Sequence, residues 1–268
     1  MTPAEPLLSV RDLRVVFPGT SESAAAVKGI SFDMDAGQTL GLVGESGSGK
    51  STVCLAVMGL LPRGTQVTGQ VVFRGRDLLP LRDRAMRPIR GKEIGLVYQD
   101  PLGALNPVRT IGSQLRESLR LHLRLSRAAA DDRAVELLER VGIPSARSKL
   151  GAYPHEFSGG MRQRVVIAMA ISCDPVLLIA DEPTTALDVS VQAQVLELLH
   201  DLSSDLGLAL MLVSHDLSVV AGMSDTTAVM RFGEIVEQGD VESVFTAPQH
   251  PYTRSLLASV RALESEDA

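Results

Sequence analysis

The sequence predicts an α/β fold with a mostly parallel sheet, an antiparallel β subdomain near the N-terminus and an inserted helical segment in the middle of the chain. Three patterns predict it. Apolar and polar residues alternate over residues 7–34, apolar residues recur at helical spacing over residues 111–142, and near-continuous apolar runs occupy residues 39–43, 175–180 and 208–213. Alternation is typical of half-buried antiparallel strands, whereas short apolar runs suit parallel strands that are covered on both faces.

The N-terminal strands come first along the chain. Val10, Leu13 and Val15 form one alternating series and Ile30 and Phe32 form another, with a Gly/Ser/Ala-rich stretch between them. Small and polar residues of this kind are typical of loops. The N-terminal part is therefore predicted to be an antiparallel hairpin region.

The rest of the chain supplies the other layers of the fold. A second short strand is predicted at residues 93–98, and the helical insertion follows it. Beyond Ser158, helices alternate with buried strands, and an apolar stripe over residues 191–202 predicts a helix that covers the sheet. Residues 248–260 are predicted to be a proline-marked loop with a short helix.

Composition and charge exclude several classes of function. The chain has 268 residues and a net charge of −6, and its one basic cluster, residues 82–92, contains Asp83 and no aromatic residue. These features favour a solvated helix face, and we expect no nucleic-acid partner. No apolar run approaches the roughly 20 residues that span a bilayer, and residues 1–5 do not resemble a signal peptide. We expect a cytoplasmic protein whose membrane role depends on a partner.

A phosphate-binding loop is the strongest chemical signal. It follows the predicted strand at residues 39–43 and precedes a helical run, which is the context that confirms this motif. Its backbone N–H groups and the helix N-terminus attract phosphate oxygens, the lysine reaches the terminal phosphates, and the hydroxyl that follows it ligates Mg²⁺. The loop residues predicted to bind a nucleotide are Gly44, Ser46, Gly47, Ser48, Gly49, Lys50, Ser51 and Thr52.

Two adjacent acids end a buried strand. The apolar residues 176–180 lead directly into Asp181 and Glu182. Ligands bind at the carboxyl ends of strands in open α/β sheets, so we expect Asp181 to contact the metal. Glu182 is then placed to orient the attacking water or to accept its proton.

A second anion-binding element decides among phosphate-loop proteins. Ser158, Gly159 and Gly160 form a serine-led helix start directly after the helical insertion, far in sequence from the first loop. One terminal phosphate cannot usefully occupy both elements within a single chain. We therefore expect the second element to serve a nucleotide that is held by another subunit.

With these motifs in this order, the sequence resembles the ABC ATPase family over nearly its whole length. The resemblance identifies Gln99 as the glutamine that touches Mg²⁺ and senses the γ-phosphate, and His215 as a histidine that hydrogen-bonds that phosphate. It implies that the adenine stacks on an aromatic residue near the end of the first strand, for which we select Phe17. It also adds Gln163, beside the serine-led helix start, and Asp188, in the segment 186–188, to the nucleotide-binding residues.

The resemblance further implies one ATPase domain with a RecA-like phosphate-loop core. Residues 1–98 and 158–247 are expected to form the β subdomain and this core. Residues 99–157 form the helical subdomain, and residues 248–268 form a C-terminal extension. ATP and Mg²⁺ are the implied cofactors, and ATP-driven pairing of two such domains is the implied motor.

Several stretches resemble the ATP-binding subunits of oligopeptide, dipeptide and nickel importers in particular. They are residues 99–107, 153–157, 188–194 and 250–254, the last beginning His-Pro-Tyr. Cysteines that can hold an iron–sulfur cluster in many peptide-importer subunits do not follow that segment here. We therefore expect no cluster, and nickel or another small cargo stays open.

The expected partners are two membrane-spanning permease subunits and a second, non-identical ATP-binding subunit. An extracellular substrate-binding protein would act indirectly, and the chain would lie peripherally on the cytoplasmic face of the membrane. Two alternatives stay open. One is a soluble ABC ATPase that acts outside transport, and the other is a nucleotide-dependent regulatory module without turnover, which the intact Asp181, Glu182 and His215 disfavour.

Overall fold

The computed structural model of the protein describes residues 5–21, 24–185 and 187–266. The strands are β1 (Leu8–Val16), β2 (Val27–Met34), β3 (Thr39–Val43), β4 (Gln66–Phe73), β5 (Arg76–Asp77), β6 (Ile94–Val97), β7 (Leu177–Asp181), β8 (Ala209–Ser214), β9 (Thr226–Arg231) and β10 (Glu234–Asp240). The helices are α1 (Lys50–Val57), α2 (Asp83–Met86), α3 (Pro101–Ala104), α4 (Ile111–Leu123), α5 (Arg127–Arg140), α6 (Ala146–Lys149), α7 (Gly159–Ala170), α8 (Val189–Leu206), α9 (Leu217–Met223), α10 (Val241–Thr246) and α11 (Pro251–Glu266).

The chain divides into two compact units. The first comprises residues 1–86 and 209–268, and the second comprises residues 87–208. The predicted helical subdomain, residues 99–157, lies within the second unit, and the predicted C-terminal extension lies within the first. The predicted subdomain boundaries themselves stay predictions.

An antiparallel sheet forms one part of the first unit, with strand order β2-β1-β4-β5. Its central strand β1 buries Leu8, Val10, Leu13 and Val15 completely. The buried residues Val10 and Leu13 are three positions apart instead of two because a bulge interrupts the pairing between them. Asp12, in this bulge, lies in the left-handed region at φ 45°. The alternation in the sequence thus reports a strand with one buried face.

Parallel strands form the other part of the first unit. Strand β3 pairs in parallel with β8 on one side and with β9 on the other, and β10 joins β9 antiparallel. Helix α9 packs so closely on β3 that a Cβ on Gly41 would lie 2.1 Å from a methyl carbon of Val220. Burial on both faces explains why β3 and β8 are continuously apolar.

The second unit combines a parallel strand pair with the helical insertion. Strand β6 pairs with β7, and Val97 lies opposite Ala180. Helices α4 and α5 pack against each other, and Leu115, Leu119 and Leu138 on these helices are fully buried. Thr110 and Ser126 cap these helices by accepting hydrogen bonds from backbone N–H groups of the first turns.

The predicted fold class is confirmed, with an antiparallel β sheet, mostly parallel core strands and an inserted set of helices. Several elements differ from expectation. Strand β4 and the β9–β10 hairpin are not predicted by the sequence patterns, and α11 is a 16-residue helix where a short one is expected. Among the described residues, no helix has both the length and the apolar character required to cross a lipid bilayer.

Candidate nucleotide-binding site

The phosphate loop links β3 to α1, as the sequence predicts, and close backbone contacts require its glycines. A Cβ on Gly44 would lie 2.2 Å from the carbonyl oxygen of Met230, and one on Gly49 would lie 2.4 Å from that of Ala26. Both glycines also have positive φ, 153° and 106°. Since other residues would clash and be strained at both positions, the loop shape depends on glycine.

Lys50 begins α1 and is buried, with 4% of its surface exposed. Its Nζ donates hydrogen bonds to the carbonyl oxygens of Gly44 at 2.7 Å and Glu45 at 3.0 Å. The lysine therefore bonds to two carbonyl oxygens of its own loop, and its charge is buried next to them.

The Ser48 hydroxyl and two backbone N–H groups of the loop are available for an anion. The Ser48 hydroxyl is buried, and it has no hydrogen-bond partner within the described residues. The N–H groups of Gly47 and Gly49 likewise have no acceptor in that part of the chain. Ser46 is exposed, and Ser51 and Thr52 are half-buried in the first turn of α1. Unpaired N–H groups next to a buried cation in the sequence are typical of a phosphate-binding loop.

His215 follows the strand next to the loop. Val43, at the end of β3, pairs with Ser214, at the end of β8, so the first loop residue and His215 leave the sheet at the same edge. His215 is exposed, and the next residue, Asp216, caps α9 by accepting a hydrogen bond from the Ser218 N–H at 2.9 Å. His215 therefore lies at the same sheet edge as the start of the phosphate loop.

Phe17 lies directly after β1 and is half-buried. Its carbonyl oxygen accepts hydrogen bonds from the backbone N–H and the hydroxyl of Thr20, at 3.2 and 2.7 Å. The aromatic ring therefore stands at a tight turn at the end of the first strand, which is where the sequence places it.

In the second unit, Gln99 and Glu182 are brought into direct contact. Gln99 follows β6 and Glu182 follows β7, and these parallel strands end side by side. Gln99 Nε2 donates a hydrogen bond to Glu182 Oε2 at 2.9 Å, and the Thr185 hydroxyl donates another to the same oxygen at 2.9 Å. The carboxylate is therefore held by two side chains.

The backbone at Glu182 is unusual. Asp181 is the last residue of β7, and Glu182 then adopts a left-handed conformation with φ 46°. Such a conformation costs a residue with a side chain about 1–3 kcal/mol and occurs often at functional sites. It turns the chain sharply, so that Thr185 returns to the carboxylate of Glu182.

The serine-led helix start is also present. Ser158 caps α7, a 12-residue helix, and its hydroxyl accepts a hydrogen bond from the Met161 N–H at 3.3 Å. A Cβ on Gly160 would lie 2.5 Å from a methyl carbon of Val191 in α8, whereas one on Gly159 would meet only Leu187, at 3.6 Å. Gly160 is therefore required by helix packing, and Gly159 leaves the helix end open.

The remaining predicted residues lie nearby in sequence. Gln163 is buried in α7, and neither of its amide atoms has a hydrogen-bond partner within the described residues. Asp188 precedes α8 and is exposed. Ala186, the first residue of the predicted segment 186–188, lies outside the described residues.

Sequence reasoning missed two contacts. The first is the Thr185 hydrogen bond to Glu182, although a hydroxyl three residues after Glu182 in a turn is a local signal for such a bond. The second involves Tyr252, whose hydroxyl accepts a hydrogen bond from the Glu45 N–H of the phosphate loop at 3.3 Å. No local signal connects that pair.

No group of three or more His, Cys, Asp or Glu residues suited to a metal occurs within the described ranges.

Comparison with known proteins identifies the family of this chain. Residues 27–185 match the family described as ABC transporter, and residues 236–268 match the family described as oligopeptide/dipeptide transporter, C-terminal region. The oligopeptide transport ATP-binding protein OppD of Bacillus subtilis is 51% identical over 261 residues, which cover 97% of this chain and 73% of OppD. OppD of Salmonella typhimurium is 48% identical over 266 residues, covering 99% of this chain and 79% of that protein.

Solved structures extend the comparison to the fold. The dimeric ATP-binding cassette MJ0796, in a post-hydrolysis state bound to ADP and Pi, has a TM-score of 0.76 and 26% identity, and covers 87% of this chain and 98% of its own. The matched family covers more than half of the sequence, and the relatives are matched over most of their lengths. The chain therefore belongs to the ABC transporter family, as one of its ATP-binding, ATP-hydrolysing subunits.

Proposed function

We propose that this chain powers an importer of peptides or nickel by binding and hydrolysing ATP together with a second ATP-binding subunit. The proposal is supported by the match of residues 236–268 to the oligopeptide/dipeptide transporter C-terminal region and by the names of the relatives. The peptide branch of the proposal has the more direct support, because both relatives are named for oligopeptide transport.

The phosphate loop is proposed to hold the nucleotide. Its unpaired N–H groups, the buried Ser48 hydroxyl and the Lys50 charge suit the phosphates, and Phe17 would stack on the adenine. Ser51, Asp181 and Gln99 would hold Mg²⁺, since hydroxyl, carboxylate and amide oxygens are the hard ligands that this ion prefers. When bound, Mg²⁺ neutralises charge on the phosphate oxygens.

Glu182 is proposed to act as the base in hydrolysis. Water attacks the γ-phosphorus, the bond to the bridging oxygen breaks, ADP leaves, and the water proton passes to Glu182. Gln99 and Thr185 position the carboxylate through their hydrogen bonds to Oε2. Lys50 and His215 stabilise the charge of the terminal phosphate as it is transferred.

Pairing of two subunits is proposed to complete each site. The N-terminus of α7, with Ser158, Gly159, Gly160 and Gln163, and the exposed Asp188 would face a nucleotide held by the partner subunit. A serine-led start of a 12-residue helix attracts phosphate through its free N–H groups and its dipole. ATP binding then closes the pair, and hydrolysis releases it.

The helical subdomain is proposed to transmit this movement to the membrane. Residues 101–157, with Gln99 at their start, would grip one of two membrane-spanning permease subunits. The second ATP-binding subunit would be a non-identical relative, and an extracellular binding protein would deliver the cargo. The chain would lie peripherally at the cytoplasmic face of the membrane.

One observation carries the proposal. The same chain contains the phosphate loop, whose Lys50 bonds to its carbonyl oxygens, and the serine-led helix start at Ser158. The test is to purify the tagged chain from detergent-solubilised membranes of the cells that make it and to identify its companions by mass spectrometry. We expect two polytopic permeases and a second ATP-binding subunit.

The purified complex is then reconstituted into vesicles with its binding protein, and ATP-dependent uptake of a labelled oligopeptide, a dipeptide and Ni²⁺ is compared. A complex with Glu182→Gln serves as the control without turnover. Uptake of one cargo identifies the branch. Absence of permeases from the purified complex, or ATP hydrolysis without uptake of any of the three, would contradict the proposed function.

A further inference from the structure

The His-Pro-Tyr segment has no role in the mechanism above. It lies at residues 250–252, within the region that matches the oligopeptide/dipeptide transporter C-terminal region. Within the first unit, this segment contacts the phosphate loop. Tyr252 is buried, with 6% of its surface exposed, and its hydroxyl accepts a hydrogen bond from the Glu45 N–H at 3.3 Å.

Local hydrogen bonds hold the segment in place independently of the loop. The carboxylate of Glu237, in β10, accepts the N–H groups of Gln249 at 2.6 Å and His250 at 3.1 Å. His250 Nδ1 in turn accepts the Tyr252 N–H at 3.1 Å. These hydrogen bonds attach the start of α11 to β10, and they thereby fix the position of Tyr252 next to the loop.

The hairpin that carries Glu237 also contacts the loop itself. Arg231, at the end of β9, places its guanidinium carbon 4.6 Å from the centroid of the Tyr252 ring, which is cation–π distance. Two residues later the Gly233 N–H donates to the Ser48 carbonyl oxygen at 2.9 Å. The loop is thus held at Ser48 by the hairpin and at Glu45 by Tyr252.

A phenol is well suited to the Glu45 position. Glu45 is exposed, so without Tyr252 its N–H would bind water and the first part of the loop would lose a fixed contact. Burial raises the pKa of the Tyr252 phenol, so it stays neutral at physiological pH. A neutral oxygen accepts the N–H without adding a negative charge beside the phosphate site, as a carboxylate would.

We propose that Tyr252 is a positioning residue that braces the phosphate loop through the Glu45 amide, so that the C-terminal region helps to set nucleotide affinity. The inference rests on the proposed role of the loop in binding nucleotide. It gives the His-Pro-Tyr segment a function inside the ATPase rather than at its periphery. Pre-organising the loop lowers the cost of ordering it when the phosphates bind.

The test is Tyr252→Phe, which removes the hydroxyl and keeps the ring beneath Arg231. We expect the Kd values for Mg-ATP and Mg-ADP to rise about 2- to 10-fold, the range that corresponds to one neutral hydrogen bond. We also expect faster amide hydrogen exchange at Glu45 in the nucleotide-free chain. Tyr153→Phe is the matched control, because Tyr153 lies in the second unit, is 40% exposed and stacks on His155. It should change neither quantity.

The exchange measurement separates this inference from the proposed function. If the wild-type chain binds no nucleotide, the proposed function fails, whereas faster exchange at Glu45 in Tyr252→Phe still supports the brace. Unchanged exchange at Glu45 overturns the brace whatever the Kd values are. So does a Tyr252→Phe variant with wild-type Kd values when Tyr252→Ala weakens binding, because ring packing alone would then carry the effect.

Discussion

The phosphate loop of the first unit and the acidic strand end of the second unit are stabilised in different ways. The loop is shaped by backbone contacts that exclude any side chain at Gly44 and Gly49, and its lysine is bound to the loop's own carbonyl oxygens. Glu182 is instead held by side-chain hydrogen bonds from Gln99 and Thr185. The shape of the first region therefore depends on main-chain contacts, whereas that of the second depends on hydrogen bonds between side chains.

The difference has an energetic basis. A Cβ added at Gly44 would lie 2.2 Å from a backbone oxygen, and only movement of the main chain could relieve that clash, so a side chain at this position would distort the loop. A side-chain hydrogen bond contributes only about 0.5–1.5 kcal/mol and exchanges readily with water or with a phosphate oxygen. Changes in the first region should therefore alter nucleotide affinity, whereas changes in the second should alter turnover.

The largest effect is expected at the acidic strand end. Glu182→Gln preserves the size of the side chain and removes the base, so ATP turnover should fall by about 10²- to 10⁴-fold, the usual contribution of general base catalysis. Nucleotide affinity should stay within about twofold, because the loop is untouched. Steady-state hydrolysis and nucleotide titration measure the two quantities, and normal turnover would exclude Glu182 as the base.

A smaller and different effect is expected in the loop. Lys50→Ala removes a buried cation from the phosphate cradle and should weaken Mg-ATP binding by roughly 100-fold, since hydrogen bonds to charged groups contribute about 1.5–3 kcal/mol each. Lys28→Ala is the matched control, because Lys28 lies in β2 of the same unit and its ammonium group makes a long, 3.9 Å ion pair with Glu234. Equal Kd values for Lys50→Ala and Lys28→Ala would show that the Lys50 charge does not set nucleotide affinity. The distinction between a region for affinity and a region for turnover would then fail.

A third change asks whether close backbone contacts also matter in the second unit. Gly160→Ala would place a Cβ 2.5 Å from a Val191 methyl carbon, so overpacking should cost about 1–3 kcal/mol of unfolding free energy. Val191→Ala in the same chain should restore part of the loss by making room. Urea unfolding of the two single variants and the double variant measures the coupling, and strict additivity would argue against this contact.

The smallest effect is expected from a single hydrogen bond to the base. Thr185→Val keeps the side-chain shape and removes a donor to Glu182 Oε2, so turnover should fall by about 2- to 10-fold with unchanged Kd. Thr20→Val is a suitable control, because that hydroxyl donates to the Phe17 carbonyl oxygen in the turn after β1. A rise in Kd for Thr185→Val with unchanged turnover would show that this region acts in binding.

Much of this architecture is predictable from local patterns. Strand β3 occupies the predicted residues 39–43, and β7 and β8 lie within one or two residues of the predicted runs. Strand β4 escapes prediction because its first five residues are exposed or half-buried and include Gly69, so they show no alternation. Strand β10 has the same character, with a half-buried, polar sequence that gains its strand geometry from pairing with β9.

The sequence by itself determined the strand–loop–helix order, the lysine and glycines of the loop, the acid pair after β7 and the serine-led helix start. Each depends on neighbours within about ten residues, so its signal is local. Only the tertiary structure decided that Gln99 bonds Glu182, 83 residues away, and that Tyr252 bonds Glu45, 207 residues away. A hydrogen bond requires its atoms to lie about 3 Å apart, and folding alone brings such distant residues to that distance.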